Sequence, residues 1–85
     1  MTKKTRNIKE PFLQHLGDAI RERRIDLLLS QDELATRSSL YRSYVTDIEG
    51  GRRNVSIITL LKIARALHYP LSSSILAAEQ SMGQG

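Results

Sequence analysis

A chain of 85 residues, with 13 Lys and Arg against 9 Asp and Glu and no cysteine, has room for one domain held together by packing alone. That length excludes a deep substrate cavity beside a core, and the missing thiols exclude a disulfide scaffold or a Cys-ligated zinc site. The net charge of +4 favours a polyanionic partner, and no apolar run is long enough to serve as a signal peptide or a membrane span.

Residues 1–7, MTKKTRN, carry Lys3, Lys4 and Arg6 and no apolar residue beyond Met1. They read as a basic arm reaching to residue 8, either a solvated tail or a segment that touches DNA. Helix 1 is expected over 9–28, with Pro11 in its first turn and Leu13, Leu16, Ile20 and Leu27 as a buried stripe. Arg24 falls on or beside that stripe. Helix 2, over 31–37, opens with Ser30 as N-cap and Glu33 three residues on, a capping box with Leu29 and Leu34 as staple. A polar break follows.

Helix 3 is expected over 41–50. Leu40, Val45 and Ile48 face inward, Tyr44 sits at the edge, and Arg42, Ser43, Thr46 and Asp47 are left on the outer face. Gly51 supplies the positive φ that ends it. Helix 4, over 56–68 and capped by Ser56, has Ile57, Leu60, Leu61, Ala64 and Leu67 on one face, widened by Ile58 and Ile63. So much apolar surface marks it as the central buried helix. Helix 5, over 72–79 and capped by Ser72, carries Leu71, Ile75, Leu76 and Ala78, more apolar surface than docking requires. These four are the candidate two-fold interface of a homodimer. The domain is thus expected over 9–79, with 80–85 as a disordered tail.

The sum is an all-α, compact five-helix domain. Helices 2 and 3, joined by a tight turn, have the proportions of a helix-turn-helix. The second helix of such a pair projects into a major groove about 12 Å wide, which accounts for the polar outer face. Arg42 there suits guanine O6 and N7, or else a phosphate. Asp47 would accept from a cytosine amine, orient Arg42, or stand as an ordinary exposed carboxylate.

The blocks RIDLLLSQDELA (residues 24–35), RSYVTDIEGGRRN (42–54) and LLKIARAL (60–67) resemble the Cro/C1-type (XRE) helix-turn-helix family, which includes phage repressors, antitoxins and restriction–modification controller proteins. The resemblance spans about residues 16–76 and implies a lambda-repressor-like fold. It implies that Tyr41, Arg42, Ser43, Thr46 and Asp47 read bases, and that Gln31, Tyr44, Arg52, Arg53 and Asn54 hold the phosphate backbone, with Gln31 also bracing the recognition helix. It also implies a buried ion pair between Arg24 and Glu49, whose place on apolar borders fits that role. Four positions depart from the family pattern: Leu28 and Ser39 stand where glycine is usual, Tyr41 where a small N-cap is usual, and Val55 where proline is usual.

The function implied is a sequence-specific regulator of transcription, a homodimer on a palindromic double-stranded DNA operator, most like a controller protein or a small phage-type repressor. The alternative is an antitoxin-type module that binds a partner protein and regulates its own gene. Neither reading involves an enzyme, a cofactor, a metal, a membrane or a small-molecule ligand. His15 and His68 lie on different helices with no metal-ligand spacing. The expected location is the bacterial cytoplasm, at the nucleoid.

Overall fold

The computed structural model describes residues 10–83, so the basic arm over 1–8 and the last two residues of the expected tail lie outside the described residues. Five helices follow in order: α1 (Pro11–Asp26), α2 (Gln31–Ser38), α3 (Arg42–Glu49), α4 (Ile57–Ala66) and α5 (Leu71–Gly83). Among the described residues there is no strand, and none of the helices is long and apolar enough to cross a membrane.

The helices surround a core in which Ile20, Leu34, Val45, Ile48, Ile63 and Leu67 are essentially sealed from solvent. Each comes from the inward stripe of its own segment, so α1, α2, α3 and the exit of α4 meet at one centre. Where α1 passes the end of α3, Gly17 is buried. A Cβ there would collide with the carbonyl oxygen of Ile48 and stand 2.6 Å from that of Glu49. Only a glycine lets the two backbones come this close.

All four exits from α1 to α4 share one turn geometry built on a left-handed residue, which follows the cap in α1, α3 and α4 and is itself the cap in α2. Leu28 (φ 60°), Ser39 (φ 60°), Gly51 (φ 72°) and His68 (φ 59°) hold these places. The paired bonds of a Schellman turn accompany each. After α3, for example, the Gly51 N–H donates to the Ile48 carbonyl at 3.1 Å and the Arg52 N–H to that of Asp47 at 2.9 Å. After α1, the Leu28 N–H donates to Ile25 at 2.9 Å and the Leu29 N–H to Arg24 at 3.1 Å.

The end of α4 has a second tie. Arg23 of α1 donates from Nε to the Leu67 carbonyl at 3.0 Å and from Nη2 to that of His68 at 3.2 Å, satisfying the orphan carbonyls of a helix C-terminus. Its guanidinium lies 5.0 Å from the centre of the Tyr69 ring. Burial pushes the Tyr69 phenol above its ordinary pKa, partly offset by the charge of Arg23.

Three expectations are corrected. Ile57 and Ile58 are exposed rather than core residues. Ile57 stands a turn ahead of the buried stripe, and Ile58 shares its face with the exposed Lys62 and Arg65. Ser72 does not cap α5, which begins at Leu71 directly after Pro70, with the Ser73 N–H donating to the Pro70 carbonyl at 2.9 Å. Residues 80–83 of the expected tail are helical, and α5 is held there by a 2.7 Å hydrogen bond between Ser81 Oγ and His15 Nδ1 of α1.

Candidate nucleic-acid interface

The entry to α2 is fixed by its first residues. The Glu33 N–H donates to Ser30 Oγ at 3.0 Å, and the Ser30 N–H donates to Glu33 Oε1 at 2.7 Å. The Ser30 N–H, and after it the Ser30 hydroxyl, favour the charged form and hold the Glu33 carboxyl below its ordinary pKa. At the other end, the left-handed Ser39 turns the chain, and the Leu40 N–H closes on the Ala35 carbonyl at 2.8 Å. Three residues, 39–41, therefore separate α2 from α3.

Tyr41 holds the N-cap position of α3 but makes no side-chain capping bond, and it is 83% exposed. Arg42 and Ser43 are exposed beside it, while Thr46 and Asp47 are half-buried one turn on. Val45 and Ile48 anchor the opposite face in the core. The helix thus turns a polar face outward across its full length.

Its inner edge is fastened by a continuous polar network. Arg24 and Glu49 form a two-bond pair, Nε to Oε2 at 2.7 Å and Nη2 to Oε1 at 2.9 Å, with both side chains nearly buried. The Arg24 Nη1 also donates to the Leu29 carbonyl at 2.8 Å. Glu49 pushes the pKa of Arg24 up, against the opposing effect of burial. Gln31 Nε2 donates to Glu49 Oε1 at 3.0 Å, and Thr46 Oγ1 lies 3.0 Å from Gln31 Oε1. α1, α2 and α3 are joined through these four side chains. Every partner of the buried charges is satisfied, the condition under which an ion pair fixes geometry.

A second cluster flanks the outer face. Gly51 turns the chain back alongside α3, and Arg52 and Arg53 converge on one carboxylate. Arg52 Nε stands 3.5 Å from Asp47 Oδ1, and Arg53 Nη2 stands 3.5 Å from Asp47 Oδ2. Arg52 also donates to the Thr46 carbonyl at 3.3 Å, and the Arg53 guanidinium lies 4.6 Å from the centre of the Tyr44 ring. Asn54 is exposed next to them. Arg42 has Asp32 of α2 as its acidic neighbour, at 3.7 Å. The expected role of Asp47 in orienting Arg42 is therefore not met, because the carboxylate is taken by the two loop arginines.

Of the four residues assigned to a two-fold interface, Leu76 is 52% exposed and Leu71 and Ile75 are partly buried against the core. Ala78 is corrected: it is completely buried among its own chain's side chains and has no surface to offer. Sequence reasoning missed Gly17, Arg23 and Asp32. A glycine in the middle of a helical stripe is the one signal that could have found Gly17, since it costs helix stability unless something must come close.

A family model described as helix-turn-helix matches residues 20–73, which takes in α2, the turn and α3. The chain belongs to the helix-turn-helix family. Control protein C.BamHI of Bacillus amyloliquefaciens is 41% identical over 64 residues, covering 74% of this chain and 74% of its own. Among solved structures, the restriction–modification controller protein C.AhdI from Aeromonas hydrophila is similar at 44% identity with a TM-score of 0.72, covering 73% of this chain and 94% of that one. The clp gene regulator ClgR from Corynebacterium glutamicum is 28% identical with a TM-score of 0.84, over 91% and 82% of the two chains. The XRE-type resemblance carried by SQDELA and IEGGRRN is thereby borne out, as is the all-α helix-turn-helix fold.

Proposed function

We propose that this chain is a DNA-binding regulator of transcription that acts as a homodimer on a palindromic operator, in the manner of a restriction–modification controller protein. The observation that carries the reading is the polar outer face of α3, bordered by the exposed Arg52, Arg53 and Asn54 and opposite to a face sunk in the core. Such a rod offers hydrogen-bonding side chains to base edges while the arginines beside it meet phosphates. Tyr41, Arg42, Ser43, Thr46 and Asp47 are the readers in this proposal. Tyr44, Arg52, Arg53 and Asn54 are the backbone holders, and Gln31 serves chiefly as the brace of α3. The exposed Leu76 is the centre of the two-fold contact, and the site of action is the bacterial nucleoid.

The test is selection of bound duplexes from a random pool, which reads palindromy, spacing and preference together. A paired consensus is expected, with half-sites about 34–36 Å apart. Arg42→Ala should relax preference at one position of each half-site, at a cost of about 1–3 kcal/mol for the preferred base. Arg53→Ala should weaken all duplexes alike and reduce the salt slope by about one. A pool that yields no consensus, with binding indifferent to salt, would overturn the reading.

A further inference from the structure

Asp47 is an acid in the middle of a surface assigned to a polyanion. It also sits in the last turn of α3, where the helix dipole disfavours a negative charge. Neither affinity for phosphate nor helix stability explains it there. Its surroundings do: each carboxylate oxygen stands 3.5 Å from a different arginine of the loop after α3. The Arg53 guanidinium also lies 4.6 Å from the centre of the Tyr44 ring, and Arg52 also donates to the Thr46 carbonyl. The carboxylate thus lies between two guanidinium groups, as an anion would.

We propose that Asp47 is an internal substitute for phosphate, which holds Arg52 and Arg53 in the free protein and makes their transfer to any duplex costly, a cost that only the correct base sequence offsets. The inference rests on the DNA-binding reading and deepens it. On any duplex, the arginines must leave Asp47 to reach the backbone. The freed carboxylate is then left near phosphates, a repulsive arrangement. At a sequence that brings a cytosine N4 amine into the groove beside it, Asp47 gains a donor in exchange. At other sequences it gains nothing. Asp47 therefore acts as a specificity-determining residue, chiefly by making wrong sequences bind badly, with the repulsive element that selectivity often needs.

The experiment measures affinity for two probes, a random-sequence duplex and the duplex selected from the pool, over a range of salt concentrations. Asp47→Asn keeps the shape and removes the charge. It should tighten binding to the random duplex by about three- to tenfold at low salt, the gain shrinking as salt rises. Binding to the selected duplex should stay level or weaken, so the ratio between the two falls. Glu22→Gln, the same charge change at an exposed position of α1, corrects for net charge alone and should leave the ratio unaltered. Equal tightening on both duplexes, or none on the random one, overturns the role of Asp47 while leaving DNA binding intact. Failure of the unmodified protein to bind either duplex at low salt overturns both.

Discussion

Glu49 is the side chain on which the polar network behind α3 converges. It is nearly sealed from solvent, and it is the partner of both Arg24 and Gln31. Glu49→Ala should cost about 3–5 kcal/mol in urea unfolding, because it leaves a buried guanidinium without its counter-charge. The corresponding loss for Asp32→Ala, whose partner Arg42 is exposed, should be below about 1 kcal/mol. The types of residue at the interface were readable from the chain, since Arg, Ser, Thr and Asp between apolar anchors define an outward face. Their pairing was not. Asp47 could have faced Arg42 five residues back or the arginines beyond Gly51, and the left-handed turn at Gly51 decides in favour of the loop. Gly17 was equally hidden, because what it makes room for is the backbone of a helix more than 30 residues further along.

At the level of elements, the local code was legible wherever both partners of a contact lay within a few residues. The capping box at Ser30 and Glu33 and the left-handed Gly51 follow from spacing alone. The extension of α5 to Gly83 did not, because the residues at its end lack an apolar stripe and one of its ties is to His15, 66 positions away. The helix exits carry a strain that can be relieved. Leu28 occupies a left-handed position in which glycine pays no Cβ penalty, and it is 89% exposed, so its side chain contributes little to the core. Leu28→Gly should therefore stabilise the protein by about 1 kcal/mol, visible as a higher urea midpoint with an unchanged slope. The same change at Leu29, which is buried, should do the opposite.

For the molecule as a whole, reach is the limiting quantity. α3 has eight residues, a length of about 12 Å, which spans roughly four base pairs. One copy therefore reads too little sequence to select a site, and two copies on a two-fold axis double it. Leu76→Glu should shift the protein to monomers in sedimentation and abolish preference for paired half-sites, while leaving the fold intact because the side chain is half exposed. A variant that stays dimeric would move the two-fold contact elsewhere on the surface. The exposed Ile57 and Ile58 at the start of α4, which sequence periodicity had assigned to the interior, are then the next apolar candidates.

The buried network also sets the polarity of the surface it supports. A carboxylate has only lone pairs, so Glu49 obliges Gln31 to point its nitrogen inward, and the amide oxygen is left for Thr46. The single hydroxyl hydrogen of Thr46 is then committed, either to that oxygen or to the Arg42 carbonyl at 3.0 Å. What remains for the groove is electron density alone. If Thr46 meets base edges as proposed, a charge fixed in the interior would make it complementary to adenine N6 or cytosine N4 and deaf to the keto oxygens of guanine and thymine.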